Sequence, residues 1–309
     1  MSVAAVAAAD SGLMQAQARV ITRCILNLIL DEIARLTEHN GGDFVRAAVE
    51  LSIMQATRPA DGMTADAARA ISVRAIATSL GIPYESCRRK VRELEAAGRC
   101  RRVGPTRVAI VTEAIAGPAY NAQCAERWNN LRGYLVELTA IGFDFGPFSQ
   151  VSPQIAVRAP TRVQGIAALI DNFILRLIEA RVSTDDSITD SAIITAMMSM
   201  NAQPMRHDHD LAWKYAGSET PPPDSARAPV TIAMLARRLR MSEDSIGRRV
   251  NLYVKRGWVR RVRGGYLFSM EQQQTPEVHQ SRHMTVQRFL QLVQALRSLG
   301  IDPARPDAA

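Results

Sequence analysis

The chain has 309 residues, is 47% apolar and carries a net charge of +8, and nowhere does it approach the roughly 18–20 uninterrupted apolar residues of a membrane span. That length suggests about two domains, and the pattern predicts no membrane-spanning helix. The four cysteines (Cys24, Cys87, Cys100, Cys124) form no CxxC pair, which excludes a dense disulfide framework and fits small buried thiols in a reducing compartment.

Taken in order, the Ala-rich start (Val3 to Ala9) lacks a basic region and is broken by Asp10, so residues 1–19 are expected to be a flexible tail and not a secretory signal. Ile21, Cys24, Ile25, Leu28, Ile29, Ile33 and Leu36 follow at helical spacing and predict a helix that stops at Asn40-Gly41-Gly42. A second helix is expected over about 43–56, then a polar loop through Pro59-Ala60-Asp61-Gly62. Val73–Leu80 reads as a short helix, Gly81-Ile82 as a turn and Tyr84–Ala97 as a basic helix. A hairpin around Gly104-Pro105-Thr106 and a long helix from Pro118 to Gly142 complete the series. Pro147, Pro153 and Pro160 mark a linker over 147–167.

The plan then recurs. Residues 71–103 and 230–262 align without a gap at an offset of 159, with nine identities in 33 positions: Ala77/Ala236, Leu80/Leu239, Ser86/Ser245, Arg89/Arg248, Val91/Val250, Gly98/Gly257 and the run 101–103 with 260–262. Asn172-Phe173-Ile174-Leu175 echoes Asn27-Leu28-Ile29-Leu30, and Leu299-Gly300-Ile301-Asp302 echoes Ile141-Gly142-Phe143-Asp144. The duplication therefore spans the expected domains 20–146 and 168–302, leaving 303–309 as a second flexible tail. The loops 59–70 and 203–229, the latter with Pro221-Pro222-Pro223, are expected to be mobile.

Charge follows the repeat. Residues 71–111 hold nine Arg or Lys against three Glu, and residues 230–270 hold ten against Glu243 and Asp244, so the rest of the chain is net acidic. Clustered basicity is what neutralisation of phosphates requires. On the helix from Tyr84, the residues Cys87, Val91 and Leu94 share an apolar face, while Tyr84, Ser86, Arg88, Arg89 and Arg92 share the other. In the second copy Ser242 is a fitting N-cap, Ile246, Val250 and Tyr253 face inward, and Ser245, Arg248 and Arg249 face outward. Arg101, Arg102 and Arg107 sit on the first hairpin, and Arg260, Arg261 and Arg263 on the second. An arginine fork suits guanine O6/N7 or a phosphate.

Ile76-Ala77-x-x-Leu80-Gly81-Ile82, followed by Ser86-Cys87-Arg88-Arg89-x-Val91-x-x-Leu94 and Gly98, resembles the winged helix-turn-helix of bacterial transcription regulators in the broad MarR/GntR/IclR-like group. The second copy shows it as Leu235-Ala236-x-x-Leu239, Ser245-Ile246-Gly247-Arg248-Arg249-Val250 and Gly257, over about forty residues in each copy. The resemblance implies a mainly α fold with small β-hairpin wings, built as two tandem winged helix-turn-helix domains forming a pseudo-dimer. It implies a cytoplasmic, nucleoid-associated transcription regulator whose partner is double-stranded DNA. The helices 84–97 and 243–256 would enter successive major grooves, with the wings on phosphates or the minor groove. RNA polymerase, another regulator, or a second copy of the chain are further candidate partners. The second copy departs from the pattern: Arg240 stands for the turn glycine, Gly247 weakens the helix, and Glu243-Asp244 put acid at its start. The first copy is thus the stronger candidate base reader, and two unlike half-sites are expected.

Competing readings follow from the same residues. Tandem winged helices also fit a plasmid- or phage-type replication initiator, and winged helices also serve as protein-interaction adaptors. His207-Asp208-His209-Asp210 reads as a solvated loop before a metal site, and His279 with His283 as surface residues. With no phosphate-binding glycine loop, nucleophile elbow or acid/base pair, the expectation is a non-enzyme without catalytic residues, metal or cofactor.

Overall fold

A computed structural model describes residues 18–58, 69–145, 161–181, 187–216 and 222–306. The structure is mainly helical with two small antiparallel sheets. In the first half these are α1 (Ala18–His39), α2 (Phe44–Thr57), β1 (Ile71–Ser72), α3 (Val73–Ser79), α4 (Tyr84–Ala96), β2 (Cys100–Val103), β3 (Arg107–Ile110) and α5 (Gly117–Ala140). The second half begins with α6 (Arg162–Arg181), α7 (Ile188–Asn201), α8 (Pro204–His207) and α9 (His209–Lys214). It continues with α10 (Ile232–Leu239), α11 (Glu243–Lys255), β4 (Val259–Val262), β5 (Gly265–Phe268), α12 (Met270–Gln273) and α13 (Pro276–Ser298).

Local chemistry explains most boundaries. Asp43 caps α2 by accepting the Arg46 N–H, Ser72 caps α3 through Ala75, and Thr231 caps α10 through Met234, each relieving an unpaired first-turn donor. Both short helices end in a left-handed residue, Gly81 (φ 60°) in the first copy and Arg240 (φ 56°) at the aligned position of the second. A side chain is strained there, by roughly 1–2 kcal/mol. Arg240→Gly is therefore expected to stabilise the fold by up to about 1 kcal/mol, the relief being partly offset by a freer unfolded chain. Urea unfolding of the two proteins checks this, and a lower midpoint for the variant would contradict it.

Several expectations are corrected. The linker expected over 147–167 ends earlier, because α6 starts at Arg162; residues 146–160 lie outside the described residues. The 203–229 segment, expected as one mobile loop, contains α8, α9 and a 3-10 turn at Asp224–Ala226; Asp208 starts α9 by accepting the Leu211 N–H. So His207–Asp210 is part of a helix pair and not a loop. Residues 1–17, 59–68, 217–221 and 307–309, which hold most of the expected tails and the first loop, lie outside the described residues. The sequence pattern does not predict β1: it lies beside β3, giving the order β1-β3-β2, and Val230 bridges Tyr266 at the corresponding place in the second copy. A Cβ on Gly265 would stand 2.4 Å from the Val230 carbonyl oxygen, so that bridge depends on glycine.

The described residues form two compact units, one within Met1–Asp31 and Ala192–Val286, the other within Glu32–Ser191 and Gln287–Ala309. These cross the boundaries expected from the repeat. The first-copy unit takes α6 from the second half of the chain: α6 packs on α2 and α5, Gln55 Nε2 donates to the Ala168 carbonyl at 2.9 Å, and the Ser79 hydroxyl donates to Glu179. Its core also holds Phe143, Phe145, Phe173 and Phe289 in edge-to-face contact. The second-copy unit takes the first part of α1. There the Ser199 hydroxyl donates to Asn27 at 3.0 Å, and Arg238 pairs with Asp31 at 2.8 Å. Ser79 and Arg238 occupy the same aligned position, so each copy docks the other copy's first helix at an equivalent point. Both first helices carry apolar faces at helical spacing, and sequence periodicity carries no record of which module each one joins.

Candidate nucleic-acid interface

In the first-copy unit, α4 is anchored by Cys87, Val91 and Leu94, each fully buried, on one side. That fixes the opposite side as the solvent face. Tyr84 is 41% exposed at its start, Arg89 and Arg92 are exposed, and Ser86 and Arg88 are half-buried. Antiparallel pairing of β2 with β3 leaves Arg101 and Arg107 exposed beside the turn at 104–106, with Arg102 half-buried. Acidic neighbours temper this face. Arg88 meets Glu85 at 3.1 Å, Arg89 lies 3.9 Å from Glu93, and Arg102 meets Glu95 at 3.2 Å. The first two are exposed one-turn pairs worth a few tenths of a kcal/mol, so an incoming phosphate can displace them.

Two cations counted in the basic footprint belong to the scaffold instead. Lys90 bonds Asp43 at 2.6 Å and Glu93 at 2.9 Å; burial opposes its charge, but these two carboxylates outweigh that and raise its pKa. Arg99 pairs with the buried Glu50 at 2.7 Å. Conversely, Arg74 on the first turn of α3 is exposed, although the sequence does not single it out as a site residue. Its place in the repeat is held by Ala233, so the alignment carries no signal for it.

In the second-copy unit, Ile246, Val250 and Tyr253 are fully buried, and Ser242 caps α11 through the Ser245 N–H. Arg248 is exposed, while Ser245 and Arg249 are half-buried; Arg249 therefore faces outward less fully than its sequence position suggests. Arg261 and Arg263 are exposed on the hairpin, and Arg260, 59% exposed, pairs with Asp224. Arg256 stacks over the Trp258 ring at 5.0 Å and Trp258 over Tyr253, closing the base of this hairpin. An open groove runs along Ile232, Glu243, Asp244, Gly247 and Arg248, floored where Gly247 lacks a side chain. Elsewhere on α10 and α11, Met234 and Leu252 are exposed at 38% and 42%. This face is mixed in charge and partly apolar.

The chain matches no family model, no curated protein and no solved structure.

All four cysteines are buried, and none is in a disulfide. Burial pushes the Cys87 thiol up to about 11, and burial reinforced by Glu95 pushes Cys100 up to about 12, so both are protonated thiols at neutral pH. His279 and His283 are exposed on α13. Among the described residues no group of three or more His, Cys, Asp or Glu is placed to hold a metal, and no helix is long and apolar enough to cross a membrane.

Proposed function

We propose that the chain is a sequence-specific double-stranded DNA-binding regulator that uses two winged helix-turn-helix modules as a covalent pseudo-dimer. The observation that carries this reading is the matched element order in both copies. A capped short helix, a left-handed turn, a helix anchored by three buried residues and an arginine-bearing hairpin occur twice, the hairpin flanked by a third strand in the first copy and by a single bridge in the second. On this reading Arg88, Arg89 and Arg92 on α4 and Arg248 on α11 address base edges or phosphates in a major groove. Arg101, Arg102 and Arg107, with Arg260, Arg261 and Arg263, contact backbone from the hairpins. Joining both readers in one chain raises the effective concentration of the second once the first is bound.

Selection from a randomised duplex library tests it. The full chain is expected to enrich a site made of two unlike boxes, with log K falling against log salt at a slope of about −4 or steeper, as five or more phosphate contacts require. Binding indifferent to salt, with no enriched sequence, would overturn the reading. A strict inverted repeat would refute the unlike boxes alone.

A second reading, as a protein-binding adaptor, is favoured by one feature of the second copy. Leu252 stands where the first copy has Glu93, and both it and Met234 are exposed apolar side chains on the helix pair α10–α11.

A further inference from the structure

The helix α4 of the first copy is held on its scaffold in two ways. Cys87, Val91 and Leu94 are fully buried and decide which side of α4 faces inward. Burial of this kind is non-directional, so it fixes register along the helix more loosely than contacts of set geometry do. Two ion pairs add direction. Lys90, in the middle of α4, reaches Asp43 at the start of α2 at 2.6 Å. Arg99, just beyond the end of α4, reaches Glu50 in the middle of α2 at 2.7 Å. Since α4 packs on α2, the pairs pin one helix along the other at two separated points.

Both anchors are themselves held. Asp43 accepts the Arg46 N–H through Oδ1 at 2.9 Å, which leaves Oδ2 for Lys90. Glu50 accepts from Asn40 at 2.9 Å, and Asn40 in turn accepts from Arg46 Nε at 3.1 Å. Lys90 also donates to both oxygens of Glu93 at 2.9 Å. The side chains of Lys90 and Glu50 are only 12% and 8% exposed, so neither is placed to meet a duplex.

The second copy is built differently. Counted back from the matching Met54-Gln55-Ala56 and Met200-Asn201-Ala202, Thr189 stands for Asp43 and Ala196 for Glu50, while Trp258 stands for Arg99. Ala196 and Trp258 cannot form the second ion pair; Trp258 stacks on Tyr253 instead, with Arg256 over its ring.

We propose that Lys90 and Arg99 are positioning residues for sequence recognition: with Asp43 and Glu50 they set the angle and register at which α4 presents Arg89 and Arg92 to the bases. The proposal rests on the DNA-binding reading and adds to it the device by which the first copy discriminates. A bidentate arginine–base pair depends on alignment, whereas attraction to phosphates survives a small displacement of the helix. The clamp therefore governs base preference and not affinity for DNA in general.

Duplex selection with the full chain carrying Asp43→Asn and Glu50→Gln tests the clamp. Asparagine caps a helix as well as aspartate, so α2 keeps its start. Each substitution removes a negative charge, so electrostatics alone predicts tighter binding to every duplex. The clamp predicts the opposite for discrimination: preference should fall about tenfold at the box read by the first copy, the scale of one lost base contact. That box is identified as the one whose preference Arg89→Ala removes. The box read by the second copy should be unchanged, and Lys90→Arg, which keeps the pair, should discriminate like the wild type. Unchanged preference in the double variant, or equal loss at both boxes, overturns the clamp while leaving the DNA reading intact. A wild-type chain that selects no sequence overturns both together. If circular dichroism shows the double variant to be unfolded, Asp43→Asn alone decides: it should lose part of the first-box preference, and full retention overturns the clamp.

Discussion

Replacing Arg127 by alanine is expected to destabilise the first-copy unit by about 3–5 kcal/mol, the loss that follows when one member of a buried ionic group is removed. Arg127, 5% exposed on α5, donates to Glu32 of α1 at 2.8 Å and to Asp171 of α6 at 2.7 Å. Arg35 holds Glu32 at 2.7 Å and Arg58 holds Asp171 at 3.1 Å, so five charged side chains tie three helices and the end of α2 together. Burial alone would raise the Glu32 pKa, but Arg127 and Arg35 outweigh it and hold the carboxyl below its ordinary 4.5. The same two carboxylates raise the Arg127 pKa against its own burial.

A depressed carboxyl stabilises the fold above its unfolded pKa and loses that contribution as pH falls through the folded value. The gap between wild type and Arg127→Ala should therefore be full near neutrality and shrink below about pH 4.5. Trp128 is the one tryptophan in this unit, since Trp213 and Trp258 belong to the other. Urea unfolding followed by its fluorescence in a Trp213→Phe, Trp258→Phe background reads the effect. Arg127→Lys, which keeps the charge but not the fork, should lose less. A loss under about 1 kcal/mol in Arg127→Ala would show that the network is held in water after all.

The second large effect concerns DNA. Arg89, Arg92 and Arg101 replaced together by alanine are expected to weaken binding to the selected duplex by more than a hundredfold at physiological salt. The salt slope should flatten by roughly one for each phosphate that is no longer neutralised. The matching substitution of Arg248, Arg261 and Arg263 is expected to weaken binding less. Glu243 and Asp244 already lower the positive potential at the start of α11, and α10 and α11 also expose the apolar Met234 and Leu252. Base discrimination separates the two effects. Removing a base-reading arginine relaxes preference at one position by about 1–3 kcal/mol, whereas removing a phosphate-binding one weakens all sequences alike. Equal weakening by the two triple variants would show that the copies contribute equally. Measuring both across a salt series with the selected duplex and a scrambled one decides it.

Much of this is legible in the sequence, and the reason is locality. The paired modules, the boundaries of α2, α4 and α11, the Ser242 cap and the buried triplets of α4 and α11 all follow from spacing and turn residues within one or two helical turns. The position of the excess charge is likewise a property of composition along the chain. Sequence reasoning goes furthest astray where residues far apart make the decision. Lys90 counts towards the basic excess of residues 71–111 but is held by Asp43, which is distant in the chain. β1 is two residues long, too short to leave an alternating pattern, and exists because β3 lies beside it.

The repeat by itself determined that the chain holds one helix–turn–helix–hairpin plan twice, since each element is specified by its own periodicity, cap and turn. Tertiary structure alone decided how the first helices are shared out. α1 and α6 both bury apolar faces, which by themselves do not single out one module. What distinguishes the two dockings is buried charge: Arg127 meets Asp171 in the first-copy unit, while the aligned positions in the second-copy unit are the buried, uncharged Thr285 and Leu26. Hydrophobic burial is non-directional and accepts either helix, whereas a desolvated arginine accepts only the helix that carries its carboxylate.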